Sequence, residues 1–221
     1  MDGAITRSGT PHLIGIAGPS CAGKSELAGW LAARLNAPVL NLDHYYVDMA
    51  ELTIEERAKR NFDEPAALEH TLILDHARML AAGESVRAPR YDFATHTRAH
   101  SDELIIPERY VILEGLFALQ WPAVRALMQT KLFVYAPDEV CLERRVARDV
   151  IERGRTVESV RRQFETTVRP MAHLHVLPAQ AQADLVLLGT DPIDLLGACA
   201  LALIQAATHK DAPFPAFVAS N

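Results

Sequence analysis

The chain has 221 residues and carries 22 lysines and arginines against 28 aspartates and glutamates, a formal charge of −6. With 49% apolar and 23% charged residues it has the make-up of a folded globular protein, which excludes a disordered or fibrous chain. The acidic balance argues against broad nucleic-acid binding, but a local cationic pocket could still hold a small phosphate-bearing ligand.

At this length a single domain, residues 1–221, buries a sufficient core without staples. Cys21, Cys141 and Cys199 are odd in number and widely spaced, so neither a disulfide framework nor a paired Cys-x-x-Cys metal site is expected. That usage fits a reducing, cytoplasmic setting. No run of about 18 uncharged apolar residues is present to span a membrane. The first ten residues include Asp2 and Arg7 but no apolar stretch, so no signal peptide is expected.

In chain order, Leu13, Ile14, Ile16 and Ala17 form a short buried strand that ends at Gly18. A helix follows from Ser25, with Leu27, Ala28, Leu31, Ala32 and Leu35 on its apolar positions. Val39, Leu40 and Leu42 make a second strand, stopped at Asp43. Helices are expected over residues 54–59 and 66–82, the latter closing at Gly83. Residues 85–107 place Pro89, Tyr91, Phe93 and Thr95 among polar neighbours and read as an antiparallel excursion. Strands then fall at 110–113, 131–135 and 184–188, and helices at 138–152, 157–168 and 193–207. The tail, 209–221, has two prolines and is expected to be loosely ordered. Short apolar strands alternating with helices predict an α/β fold, a parallel sheet covered on both faces.

Gly18-Pro19-Ser20-Cys21-Ala22-Gly23-Lys24-Ser25 satisfies the pattern G-x-x-x-x-G-K-[ST] between a strand and a helix. Its glycines permit a turn whose N–H groups face an anion, and the helix N-terminus adds positive potential. Lys24 can reach the β- and γ-phosphates of a nucleotide, and the Ser25 hydroxyl can ligate Mg²⁺. Cys21 is a small residue that fits the turn; a thiolate sensitised by the helix terminus is the alternative.

Two carboxylates, Asp43 and Glu114, lie where apolar strands end, and strand ends in open α/β sheets face the ligand. A phosphoryl-transfer enzyme needs acidic groups there for the metal and the acceptor hydroxyl; helix capping is the other use of such residues. Residues 144–155 concentrate Arg144, Arg145, Arg148, Arg153 and Arg155 in an acidic protein. A solvated helix face is one reading. Arg153-Gly154-Arg155 on a helix break suggests the other, a lid carrying guanidiniums to transferring phosphates. Phe62, Asp63, Tyr91, Phe93 and His96 supply aromatics for a planar base and a carboxylate for a sugar diol. His173-x-His175 lacks a third ligand nearby and is read as a surface or packing pair.

Together these residues resemble the uridine kinase (uridine–cytidine kinase) family of P-loop kinases. The likeness runs from about His12 to about Leu188. Its motifs are the phosphate loop, Asp43-His44-Tyr45-Tyr46, Asn61-Phe62-Asp63-Glu64-Pro65, Tyr91-Asp92-Phe93 with His96-Thr97-Arg98, and Ile112-Leu113-Glu114-Gly115. They continue through Arg148-Asp149-Val150-Ile151-Glu152-Arg153-Gly154-Arg155, Gln163 and Thr167-Val168-Arg169-Pro170. The resemblance implies a P-loop three-layer sandwich with a five-stranded parallel sheet in a core of about 12–208. An accessory hairpin (85–107) and a helical lid (144–165) are implied as well.

It further implies transfer of the γ-phosphate of ATP or GTP to the 5′-hydroxyl of uridine or cytidine, with Mg²⁺. Asp43 then matches the catalytic acidic residue beside the metal, and Glu114 the second acidic group. Phe62, Tyr91, Phe93 and His96 match residues around the pyrimidine, and Asp63 the ribose-binding position. Arg145, Arg155 and Gln163 match other acceptor-side positions, and Arg148 and Arg153 the phosphate-facing lid arginines. Gly18, Ser20, Cys21, Ala22, Gly23, Lys24 and Ser25 are the nucleotide-binding set. The family's Pro-Arg-Gly-Gly-like turn after the last strand is replaced here by Gly189-Thr190-Asp191-Pro192, which leaves the choice of donor base open. The resemblance favours a homo-oligomer. The rival readings are a related kinase acting on pantothenate, glycerate or a sugar phosphate, and a nucleotide-binding regulator without an acceptor.

Overall fold

The computed structural model describes residues 9–58, 60–93, 95–99 and 101–210. Five strands form one parallel sheet: β1 (His12–Ala17), β2 (Val39–Asn41), β7 (Tyr110–Glu114), β8 (Thr130–Tyr135) and β9 (Leu185–Leu188). They lie in the order β2-β7-β1-β8-β9, so the chain crosses the sheet through helices, as parallel pairing requires. Side chains alternate between two apolar layers. Leu13, Val111, Leu113 and Phe133 face one core, while Ile14, Ile16, Ile112, Leu132 and Val134 face the other.

The first layer is closed by α3 (His70–Ala81) through Ile73, Ala77 and Leu80. The second is closed by α1 (Lys24–Leu35) through Leu27, Ala28 and Leu31, and by Leu196, Ala200 and Ile204 of the final helix, residues 193–210. Burial of a Leu or Ile side chain contributes roughly 1.5–3 kcal/mol, so these two layers supply the main drive to fold. Short α2 (Ile54–Ala58) and α4 (Pro122–Arg125) lie in the connections. No helix of the described residues is long and apolar enough to cross a membrane. All three cysteines are free.

The excursion at 85–107 is two ribbons. β3 (Val86–Ala88) pairs antiparallel with β6 (Glu103–Ile105), and β4 (Tyr91–Asp92) with β5 (Thr97–Arg98). Helix α5 (Asp138–Arg153) ends at Gly154 in a left-handed cap, with φ of 60°. The chain then turns into α6 (Val157–Gln163), capped by Thr156 accepting from the Ser159 N–H.

Two expected helices differ from the reading above. The helix expected at 66–82 starts at His70, because residues 65–67 form a 3₁₀ turn and Leu68 is extended, bridging to Tyr46. The helix expected at 157–168 is α-helical only to Gln163, and wider π turns carry Phe164–Val168 and Ala172–Val176 on either side of α7 (Arg169–Met171). Pro170 has no N–H to donate to the preceding turn, and Phe164, Val168, Ala172 and Val176 are all buried in steps of four. The last helix, α8 (Ile193–Lys210), extends three residues beyond the expected end. The expected loose tail lies outside the described residues from 211 onward, as do the first eight residues.

Candidate active site

The register of the sheet brings the chemistry together. Ile16 on β1 and Asn41 on β2 both pair with Glu114 at the end of β7, which sets Glu114 and Asp43 beside the loop that follows β1. Gly18 opens that loop with φ of 146°, and a Cβ there would lie 2.1 Å from the Val134 carbonyl oxygen. Only glycine fits so close to β8. Cys21 also adopts a left-handed backbone, with φ of 66°. Lys24 is buried, and its Nζ donates to the Pro19 carbonyl at 3.0 Å, folding the ammonium into the mouth of the loop.

Ser25 Oγ donates to Glu114 Oε1 at 3.3 Å. Burial pushes the Glu114 carboxyl up to about 7; Asp43 adds to that rise, and Lys24 and the Ser25 hydrogen bond oppose it. Asp43 is held at the backbone by Asn41 Oδ1, which accepts its N–H at 2.9 Å. Its own Oδ1 is buried without a hydrogen-bond partner, so the carboxylate has an acceptor to spare for a ligand.

A cleft of about 1130 Å³ begins at this loop and runs to the antiparallel ribbons. At its far end, Tyr46 sits edge-on to Phe62, with ring centroids 5.4 Å apart, and 5.3 Å from Tyr91. His96 stacks on Phe62 at 4.5 Å and 20°. The imidazole is held below its ordinary value by burial and then by the Arg153 and Arg57 cations, so it is neutral at pH 7. Asp63 lines the same end; burial raises its carboxyl and Arg145 counters.

The opposite wall is the arginine helix. Asp149, fully buried, meets four guanidiniums: Arg148 Nη2 at 2.9 Å, Arg155 Nη1 at 3.4 Å, and Arg145 Nε and Arg153 Nη1 at 3.6 Å each. Gln163 Oε1 accepts from Arg155 at 2.5 Å and from Arg145 at 3.3 Å. Arg144 turns the other way. It donates to the Gly189 carbonyl at 2.8 Å and to the Cys21 and Ala22 carbonyls at 3.4 Å. A Cβ on Gly189 would lie 1.8 Å from the Ala22 oxygen, so the turn after β9 rests directly on the phosphate loop.

The profile of the phosphoribulokinase / uridine kinase family matches residues 13–191. Relatives named uridine kinase are similar over 181 residues, 79% of this chain. The one from Vibrio cholerae is 42% identical with 85% of its length covered, and one from Aliivibrio fischeri is 41% identical with 84% covered. The chain belongs to the phosphoribulokinase / uridine kinase family. It is therefore a phosphotransferase that uses a nucleotide donor. Solved structures share its fold. A putative fructose transport system kinase from Silicibacter has a TM-score of 0.66 at 23% identity, covering 82% of this chain and 91% of that one. Phosphoribulokinase from Rhodobacter spheroides has a TM-score of 0.61 at 16% identity, with 79% and 68% covered.

In this kinase the cleft gathers nearly every residue singled out from the sequence. Ser20, Cys21, Gly23, Lys24 and Ser25 line one end; Asp43 and Glu114 follow; Phe62, Asp63, Tyr91, Phe93 and His96 line the other. Arg145, Arg148, Arg153, Arg155 and Gln163 form the facing wall. Gly18 and Ala22 do not line it, being buried in the backbone of the loop. His173 is exposed and pairs with Asp138 at 3.0 Å, and no cluster of three or more His, Cys, Asp or Glu side chains suited to a metal occurs among the described residues.

Sequence reasoning assigned no role to three groups that shape the site. Tyr46 is the centre of the aromatic end, and its hydroxyl donates to the Phe62 carbonyl at 3.0 Å. His44 Nδ1 accepts the Tyr91 N–H at 2.9 Å and so joins the strand-end motif to the ribbon. Asp149 is the counter-ion of the arginine wall. A signal existed for it, since an Asp flanked by Arg at −4, −1 and +4 on a helix has cations on its own face.

Proposed function

We propose that this kinase transfers the γ-phosphoryl group of ATP or GTP to the 5′-hydroxyl of uridine or cytidine. The observation that carries the reading is the continuity of one cleft, from the phosphate loop past Asp43 to an aromatic chamber with Asp63 on its wall. The relatives named uridine kinase support it. The aromatic walls suit a flat neutral base better than a sugar phosphate. Moreover, Arg145 and Arg155, the cations on the acceptor side, are linked through Gln163 and are less exposed than Arg148 and Arg153.

In this mechanism the loop amides and Lys24 hold the β- and γ-phosphates, and Lys24 leaves the Pro19 carbonyl to do so. Asp63 takes the ribose hydroxyls, and Phe62, Tyr91, Phe93 and His96 enclose the base. That positioning aligns the 5′-oxygen with the γ-phosphorus. Asp43 receives the proton of the 5′-hydroxyl, and Arg148 and Arg153 stabilise the charge spread over the transferred group.

The donor set also fits Mg²⁺. Ser25, Asp43 and Glu114 are hard oxygen donors at one end of the cleft, and Asp43 Oδ1 is an acceptor with no partner. Mg²⁺ takes few protein ligands and completes its shell with water and phosphate, so a dense carboxylate cage is not required. When bound there it neutralises phosphate charge between donor and acceptor.

A panel assay tests the assignment: Mg-ATP with uridine, cytidine, thymidine, pantothenate, glycerate and ribulose 5-phosphate. Phosphorylation of uridine or cytidine well above the others is expected. Inactivity toward both ribonucleosides while another acceptor turns over refutes it, and release of only ADP and free phosphate points to a regulator instead.

A further inference from the structure

The arginine wall is divided by a single carboxylate. Asp149 Oδ1 takes Arg148 and Arg153, the two arginines assigned above to the phosphates. Asp149 Oδ2 takes Arg145 and Arg155, the two assigned to the acceptor side, and Arg145 Nη1 also donates to Ser20 Oγ of the phosphate loop at 3.2 Å, so this pair touches both half-sites. Gln163 then links Arg145 to Arg155. The backbone closes the same unit, because the Arg155 N–H donates to the Asp149 carbonyl at 3.1 Å across the Gly154 turn.

Arg148 and Arg155 hydrogen-bond the carboxylate, while Arg145 and Arg153 face it as ion pairs at 3.6 Å. Asp149 is wholly buried, and a buried carboxylate is tolerated only where cations and hydrogen bonds compensate it. Arg148 and Arg153 nevertheless keep 31% and 36% of their side-chain surface exposed, and both line the cleft. They can therefore share their charge with an arriving phosphate while staying in reach of Asp149. Any ligand that draws one pair toward itself alters the hold of the carboxylate on the other pair.

The geometry points to Asp149 as a positioning residue that couples the donor and acceptor half-sites of this kinase. In the structure it meets all four guanidiniums. Triphosphate binding withdraws Arg148 and Arg153 in part, and Oδ2 then grips Arg145 and Arg155 more firmly, ordering the acceptor wall. Coupling of this kind is reciprocal: the acceptor tightens the donor by the same factor. The assignment of the two pairs rests on the function proposed above; the convergence on one carboxylate does not.

The test is a pair of calorimetric titrations, with uridine measured in the absence and presence of a non-hydrolysable ATP analogue, on the native chain and on Asp149→Asn. The native chain is expected to bind uridine at least about fivefold tighter with the analogue present. In Asp149→Asn that factor falls to within about twofold of unity, turnover drops about tenfold or more, and analogue affinity without acceptor is unchanged or tighter, because a competitor for Arg148 and Arg153 is gone. A role confined to holding the helix together would instead weaken both ligands in parallel. Absence of coupling in the native chain, its survival in folded Asp149→Asn, or loss of analogue affinity in step with turnover overturns the proposal.

If Asp149→Asn does not fold, Asp149→Glu keeps the charge and displaces it by one methylene. Coupling below the native value with analogue affinity within about twofold is then expected, and native coupling overturns the proposal. A native chain that binds no uridine refutes the acceptor assignment alone, and the acceptor found in the panel takes its place in the titration.

Discussion

At the scale of single residues the active site separates charge by environment. Asp43 keeps a spare buried oxygen, while burial pushes the Glu114 carboxyl up to about 7 against the pull of Lys24. In the proposed function Asp43 is the group that takes the acceptor proton. Asp43→Asn is expected to lower kcat about 10²–10⁴-fold while ATP binding, measured by titration, stays near native. Near-native turnover would remove Asp43 from that role. His96 gives a second expectation, with a sign fixed by its neighbours. Its folded value lies below 6.5 because burial, Arg153 and Arg57 oppose protonation. Uridine affinity is thus flat from pH 8 down to 6.5 and falls below that range, as an imidazolium forms beside those arginines and presses against the base. His96→Gln, which cannot titrate, is expected to lose that acidic limb; a profile identical to native would assign it to another group.

At the scale of elements, the phosphate loop depends on how closely it lies against β8. A methyl group at Gly18 would sit 2.1 Å from the Val134 oxygen in a backbone conformation that side chains avoid. Gly18→Ala is expected to destabilise the protein by about 1–3 kcal/mol or more and to abolish ATP binding. A thermal melt and a nucleotide titration check both, and a native-like melt would show that the loop can retreat. This element and the five strands were legible in the sequence, because each is a short apolar run with its stop residue. The aromatic chamber was legible only through family motifs, since Phe62, Tyr91 and His96 are brought together by ribbons that local periodicity does not specify. The π turns after Gln163 were not legible. Their buried residues keep a four-residue spacing, so the sequence pattern there is still that of a helix, and only the missing N–H of Pro170 hints otherwise. Asp149 was legible in part: its pairs with Arg145 and Arg153 follow from helical spacing, whereas its pairing with Arg155 needs the chain reversal at Gly154.

At the scale of the whole molecule, the charge of −6 is unevenly spread. Lys24, Arg144, Arg145, Arg148, Arg153 and Arg155 share one cleft with six carboxylates, so the cleft is neutral in sum while the chain as a whole is acidic. Attraction inside a partly closed cleft is screened less than on an open surface, yet the approach to it passes through solvent. Raising ionic strength from about 0.05 to 0.5 M is expected to weaken ATP binding several-fold and to leave the affinity for an uncharged nucleoside within about twofold. Equal salt sensitivity for both ligands would mean that the arginines serve the acceptor as much as the phosphates.

Arg144 gives the arginine helix a fixed point near its middle. Its guanidinium grips the Cys21, Ala22 and Gly189 carbonyls, so α5 is moored there to the nucleotide side of the core. Any swing of the helix must then pivot beyond that mooring, and travel grows with distance from it: small at Arg145, larger at Arg148, largest at Arg153 and the Gly154 turn. The residues assigned to the phosphates thus sit at the long end of a lever whose fulcrum is the very loop that senses the nucleotide.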